Sequence, residues 1–406
     1  MLFGTIADRI GRKATLLLVK NLLSIIGSSF QYVATVINRF ELLIIGRFMV
    51  GASSGLGSLQ AVYIAECSPR DKASYFSTIP TIVTGVMAAI GTLYNLPYFL
   101  GREDLWQYSF LVPIIQATGH MLAMFYLHDS PKHLYITNGN EMAAKKALVF
   151  YQGESANWEK QKAAYDQERA LSQSSKVSFL EILKIPHLRW PFIICSVAGF
   201  NATLGGIDIA VLYSTELIEQ MGVDAETASL FTALGIAVPN VLILAVMIFG
   251  RVIERVGRRR LYLFGSFLGL LTTTMLCVSG QKIGPTMLVT IVAMISIAMA
   301  LWSFVLGPFL VISVLPAEIA PQQSRAVSGA VCWSLSWLSS VFVAIAYPPA
   351  HMMIGSFAVL PVTVVSALCT VFLMAFMPET KGRSVEQVVR KWRKEENGEE
   401  NPGFSD

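Results

Sequence analysis

The sequence predicts an all-α, polytopic membrane protein made of two related helical halves, and three observations carry that prediction. Of 406 residues, 54% are hydrophobic and only 14% are charged, with a mean hydropathy of +0.56; soluble domains carry about 25% charged residues. Apolar runs of about 20 residues, enough to cross the hydrocarbon of a bilayer, recur along the chain. A short basic turn also occurs twice, as Ala7-Asp8-Arg9-Ile10-Gly11-Arg12-Lys13 and as Ile253-Glu254-Arg255-Val256-Gly257-Arg258-Arg259-Arg260, with Asp8 and Glu254 standing 246 positions apart. Two further pairs fall near that offset. Glu66-Cys67-Ser68-Pro69 returns 252 positions on as Glu318-Ile319-Ala320-Pro321, and Asp129-Ser130-Pro131-Lys132 is echoed 250 positions on by Glu379-Thr380-Lys381. Three matches at nearly constant spacing indicate an internal duplication, and parallel halves of helices are a recurring transporter architecture.

Met1 leads almost directly into the first basic turn, so no signal peptide is expected. Two apolar runs, 188–212 and 228–250, precede Glu254, and nothing equivalent precedes Asp8. The duplication therefore leads to the expectation of a first half shortened by about 60 residues, or two helices, the alternative being a first half that has simply diverged. Ten spans are expected at 14–37, 41–65, 74–99, 106–128, 188–217, 228–250, 259–280, 285–315, 323–347 and 352–377, four in the first half and six in the second. Basic residues alternate between their connections. Arg9, Arg12 and Lys13, then Arg70 and Lys72, then eight Lys/Arg from Asp129 through Lys184, then Arg255 to Arg260, then Lys381 to Lys394 share one side. The other side holds Arg39, Arg102 and Lys282, so both termini are expected in the cytoplasm and the protein in the plasma membrane. The expected division is 1–128 for the shortened half, 129–187 for a cytoplasmic linker, 188–377 for the six-helix half and 378–406 for a cytoplasmic tail. Residues 141–146 and 158–171 of the linker have amphipathic periodicity and read either as a bundle that latches the halves or as a solvated connection. From Glu395 the tail is acidic and Gly/Pro-bearing, and disorder is expected there.

No catalytic constellation is present. His120, His128, His133, His187 and His351 form no metal-ligand spacing, Cys67, Cys195, Cys277, Cys332 and Cys369 form no CxxC pair, and there is no nucleophile elbow, P-loop or dinucleotide fingerprint. Neither a cofactor, a metal nor nucleic-acid binding is expected, and the implied partners are the lipid bilayer and a small polar solute. The polar residues that stand out lie within or at the ends of spans. Arg47 interrupts Leu42-Leu43-Ile44-Ile45-Gly46-Arg47-Phe48-Met49-Val50, where an unpaired charge costs at least about 2.5–3.5 kcal/mol. It is expected to pair with a boundary carboxylate or to snorkel to the nearer interface. Glu66, Glu254 and Glu318, with Arg325 as a further base, are candidates for ion pairs that join the cytoplasmic ends of the halves and break between states. Asp208 follows Gly205-Gly206, which predicts a helix that breaks and restarts; Asp208 then either caps the new half-helix or binds solute at mid-membrane. Gly51 and Gly55 have GxxxG spacing and predict a close helix crossing. Pro80, Pro97, Pro239 and Pro308 mark possible kinks.

These motifs together resemble the sugar porter family of the major facilitator superfamily, which includes facilitative glucose transporters and proton–sugar symporters. The matching stretches are Gly4 through Lys13, Gly46-Arg47 with Gly51, Tyr63-Ile64-Ala65-Glu66 with Pro69, Asp129 through Lys132, Tyr213-Ser214-Thr215, Glu254 through Arg259, Glu318 through Arg325, and Pro378-Glu379-Thr380-Lys381-Gly382-Arg383. The resemblance implies a major facilitator fold with two pseudo-symmetric halves. It also implies an intracellular salt-bridge gate, here comprising Asp8, Arg9, Arg12, Arg47, Glu66, Glu254, Arg255, Arg258, Glu318, Arg325 and Glu379. Trp337 matches a pathway tryptophan, and Thr203, Asp208 and Ser336 join it as candidate solute-binding residues.

The departures from the family pattern bear on the solute. Paired glutamines and an asparagine of the family fall at 202–208, where this chain has Ala202-Thr203-Leu204-Gly205-Gly206-Ile207-Asp208. A pathway glutamine falls near Ile79, and a Gly-Pro-x-Pro-Trp segment is reduced to Gly307-Pro308-Phe309. A site that recognises hydroxyls needs matched hydrogen-bond partners, and most of the family's are missing. The resemblance implies a secondary transporter of a hexose or related polyol by alternating access. A non-sugar organic solute or ion, and a non-transporting sensor or short isoform associated with a full-length protein, are the alternatives.

Overall fold

The computed structural model describes residues 10–69, 73–154, 156–173, 179–220, 222–250, 256–279, 286–381, 383 and 385–396. Regular structure among them is helical throughout, and the chain divides into two compact units. One comprises residues 1–87 and 94–174, the other 88–93 and 175–406.

In the first unit, α1 (Arg12–Val36) starts at Gly11, whose φ of +100° suits a residue without a Cβ. One widened π turn, Thr15–Lys20, interrupts its α-helical ladder. Helices α2 (Phe40–Gly55) and α3 (Gly57–Cys67) occupy the expected span 41–65 but break at Leu56. Gly51, Gly55 and Gly57 crowd that turn, and each weakens a helix by about 1 kcal/mol relative to alanine. The close crossing forms elsewhere than expected. Where α1 meets α2, a Cβ on Gly46 would stand 2.5 Å from the Gly27 carbonyl oxygen, whereas Gly51 faces open space. Glycine spacing alone did not reveal which side of α2 meets its neighbour. Helices α4 (Ala73–Tyr94) and α5 (Trp106–Tyr126) complete the apolar set. Three short helices follow: α6 (Pro131–Ile136), α7 (Glu141–Gln152) and α8 (Trp158–Gln173). Helix α7 is tied to α3 because Tyr63 and Tyr151 both donate to the His128 carbonyl and Gln152 donates to the Cys67 carbonyl.

The second unit begins with α9 (Phe179–Lys184) and α10 (Pro186–Ala202). The chain then breaks, as expected, at Gly206 (φ +89°) and restarts as α11 (Ile207–Leu212) and α12 (Ser214–Glu219). Next come α13 (Ala225–Gly250), α14 (Arg258–Ser279) and α15 (Thr286–Phe304). A π turn holding Pro308 leads into α16 (Leu310–Ile319). Then follow α17 (Gln322–Ile354), α18 (Leu360–Phe376) and α19 (Val385–Glu396). Ile194, Tyr262, Ile312, Leu315, Cys332 and Leu373, from five of these helices, form the main core. The tail joins that core through Val388, Val389 and Trp392 of α19. The disorder expected from Glu395 concerns mainly 397–406, which lie outside the described residues.

Six helical stretches among the described residues are long and apolar enough to cross a membrane, one of them the 54-residue run that joins α17 to α18. Helices α2 with α3, α4 and α13 occupy the other expected spans. The protein is an integral, multi-pass membrane protein.

Candidate functional site

A compact polar cluster forms at the basic-turn end of the first unit. Gly11 bends the chain so that α1 begins against Asp129, whose Oδ1 accepts from the Lys13 backbone N–H (3.1 Å) and from the Ser130 N–H (2.7 Å). A carboxylate at exposed N–H groups complements the positive end of a helix. Arg12, in the first turn of α1, places Nε 3.4 Å from Glu66 Oε2 and Nη1 3.3 Å from His133 Nδ1. Ser130 donates its hydroxyl to Glu66, and Lys132 Nζ stands 3.9 Å from the other Glu66 oxygen. Lys13 reaches back to the Phe125 carbonyl at the end of α5 (3.3 Å).

The second unit builds the same arrangement from the duplicated residues. Gly257 has φ +97°, and Glu379 Oε1 accepts from the backbone N–H groups of Arg258 (3.0 Å), Thr380 (3.0 Å) and Lys381 (3.1 Å). Arg258 clamps Glu318 Oε1 through Nη2 (2.7 Å) and Nε (2.9 Å), and Thr380 donates its hydroxyl to the other Glu318 oxygen. Arg259 Nη2 donates to the Met374 carbonyl at the end of α18 (2.7 Å). Gly11, Arg12, Lys13, Glu66, Asp129 and Ser130 thus correspond to Gly257, Arg258, Arg259, Glu318, Glu379 and Thr380. Sequence reading picked out the charges but missed the two hydroxyls and the capping role of Asp129 and Glu379. The signal was the short polar residue that follows each acid. The three described ion pairs of this set, Arg12–Glu66, Lys132–Glu66 and Arg258–Glu318, each join residues of one unit.

Other residues of the expected gate lie apart from these clusters. Asp8, Arg9, Glu254 and Arg255 lie outside the described residues. Arg47 is exposed on α2 with its guanidinium 5.9 Å from the Phe110 ring centroid. Phe110 is at the start of α5 and Asp129 lies beyond its end, so a 21-residue helix of about 30 Å separates Arg47 from the Arg12 cluster. Its assignment to the cytoplasmic gate is corrected on that ground. Arg325 donates to the Ala320 carbonyl (3.4 Å) and makes no ion pair among the described residues.

The expected solute-binding residues divide in two. Thr203 and Ser336 are buried where α10 packs on α17; the Thr203 hydroxyl is shared with Ser339 Oγ (2.7 Å) and lies 3.3 Å from the Ser336 carbonyl. Those groups serve helix packing. Among the described residues Asp208 makes no helix-capping bond. Its Oδ1 accepts from Ser340 Oγ (2.7 Å), while Oδ2 is buried without a hydrogen-bond partner among the described residues. Trp337 is exposed, whereas Trp333, one turn earlier, packs edge-on against Phe309.

Residues 1–392 match the family profile described as "Sugar (and other) transporter". Solute carrier family 2, facilitated glucose transporter member 3 from Homo sapiens is 28% identical over 407 residues, covering 98% of this chain and 80% of that protein. Member 9 from Homo sapiens is 27% identical over 391 residues, covering 95% and 71% respectively. Among solved structures, the inward-open xylose transporter XylE from E. coli superimposes with a TM-score of 0.75 at 20% identity, over 96% of this chain and 85% of that one. The major facilitator superfamily proton:xylose symporter XylE bound to 6-bromo-6-deoxy-D-glucose gives a TM-score of 0.73 at 21% identity, with the same coverage. This likeness identifies the fold as that of the major facilitator superfamily.

Proposed function

The chain belongs to the sugar (and other) transporter family, and from that premise we propose that it is a secondary transporter moving a hexose or related polyhydroxylated solute by alternating access. The observation that carries the reading is the doubled cluster: each unit has an arginine paired with a glutamate, a carboxylate capping a helix, and a hydroxyl that donates to the glutamate. The pairs are only partly buried, with side-chain exposures of 15% and 9% for Arg12 and Glu66 and 18% and 24% for Arg258 and Glu318. Partly hydrated pairs are worth less than dry ones, so they can be remade as a conformational equilibrium shifts. In this reading both clusters belong to a cytoplasmic gate, both termini are cytoplasmic, and the protein works in the plasma membrane. Arg12, Glu66, Arg258, Glu318 and Glu379 form the gate's described part, and Asp208 with Trp337 contributes to solute recognition. The names of the relatives point to sugars and support the solute class.

The test is protein-dependent uptake into liposomes of radiolabelled D-glucose, myo-inositol and D-glucuronate, each against protein-free liposomes. The reading predicts saturable uptake of at least one of them. Uptake of all three at the protein-free rate contradicts it.

A further inference from the structure

Lys20 stands in the apolar run Thr15-Leu16-Leu17-Leu18-Val19-Lys20-Asn21-Leu22-Leu23, as the last residue of the π turn in α1. Such turns appear frequently at functional sites, and an ionisable side chain inside a membrane span is a functional candidate by default. Its ammonium donates to Gln60 Oε1 of α3 (3.0 Å), while Ser53 of α2 donates to its backbone carbonyl (2.9 Å). The adjacent Asn21 is only 2% exposed, and its Oδ1 lies 2.8 Å from His120 Nδ1 of α5. Asn21 Nδ2 has no hydrogen-bond partner among the described residues. Helices α1, α3 and α5 therefore bring together an ammonium, an unsatisfied amide donor and an imidazole.

What the cluster lacks is an anion. Lys20 makes no ion pair among the described residues. Between Lys13 and Glu66 the sequence holds one carboxylate, Glu41, and α4 and α5 contain none. Glu41 lies in the first turn of α2, before Arg47, and Glu66 is engaged by Arg12 and Ser130. An ammonium offers three donors, of which one meets a neutral acceptor, and a buried amide donor left unpaired costs about 1–3 kcal/mol. A carboxylate supplies the missing charge and two acceptor oxygens together.

We propose that Lys20, Asn21, Gln60 and His120 form a carboxylate-recognising subsite in the first unit, and that the solute is a hydroxylated acid of the sugar-acid class rather than a neutral hexose. This assignment rests on the transporter reading and names its substrate class.

The full chain, in liposomes and in detergent, is tested with D-glucuronate and D-glucose as probes, by uptake and by thermal stabilisation. D-glucuronate is expected to be carried in preference to D-glucose and to raise the melting temperature. Lys20→Met should weaken its apparent affinity at least about tenfold, the lower range for a charged hydrogen bond, and Lys20→Arg should restore most of it. Lys20-dependent stabilisation by D-glucuronate, with D-glucuronate, D-glucose and myo-inositol all taken up at the protein-free rate, supports the subsite while refuting the transporter reading. Uptake of D-glucose with neither binding nor transport of D-glucuronate overturns the subsite and leaves the transporter reading standing. D-glucuronate binding of equal strength in folded Lys20→Met also overturns it.

Discussion

The two units agree at their basic-turn ends and differ in their apolar interiors. At the ends, Gly11, Arg12, Glu66 and Asp129 repeat as Gly257, Arg258, Glu318 and Glu379, down to the hydroxyl that bridges each glutamate. Inside, the first unit carries Lys20, Arg47 and His120, and the second carries Asp208 held by Ser340. Under the proposed gate, a shared mechanical task would account for the agreement, because both ends would make and release the same kind of pair. The interior residues carry no such repeat, since Lys20 and Asp208 stand in neither cluster. The duplication is therefore a guide to the basic-turn clusters and a poor guide to the interiors.

The largest expected effect separates the twin clusters. Glu66→Ala takes the paired carboxylate from Arg12 in the drier site and should lower stability by about 3 kcal/mol. Glu318→Ala acts where more water reaches the pair, at 24% exposure against 9%, and should cost about 1–2 kcal/mol. Denaturation of the purified variants in detergent measures both, and equal losses would break the ranking. Gly11→Ala and Gly257→Ala should each cost about 1–2 kcal/mol from left-handed backbone alone. A Cβ would also stand 2.2 Å from Asp129 Oδ2 and 2.7 Å from Glu379 Oε2. A difference between them of more than about 1 kcal/mol would show that the two turns are not equivalent. Within the interiors, Asp208→Asn should change the uptake ratio among hydroxylated solutes while moving stability by less than about 1 kcal/mol; an unchanged ratio removes Asp208 from solute recognition. Arg47→Leu should be the mildest, within about 1 kcal/mol, since its described contact is a single ring face.

Much of this was readable beforehand where charge and spacing coincide. The repeated Gly-Arg turns and the acids near a constant offset located both clusters, and Gly205-Gly206 located the break before Asp208. Arg47 shows the limit of that reading. Its place in an apolar run identifies a membrane charge, but only its contact with Phe110, at the start of α5, shows which end it approaches. Ser130 and Thr380 carry no charge, so a search for ion pairs passed over them. Lys20 was visible in its apolar run, yet its partners Ser53 and Gln60 stand 33 and 40 positions away, and His120, which meets Asn21, stands 99 positions from it, beyond the reach of local pattern. The tail helix α19 had a signal in Val385, Val388, Val389 and Trp392, spaced for one helical face, which the acidic composition after Glu395 obscured.

Counterflow tests most directly whether two such units alternate around one solute. Liposomes containing the protein are preloaded with whichever unlabelled solute proves to be carried, then diluted into a trace of the labelled form. Alternating access predicts a transient overshoot of label above its equilibrium level, driven by exchange against the outgoing solute. A monotonic rise to equilibrium, unaffected by preloading, would contradict the account.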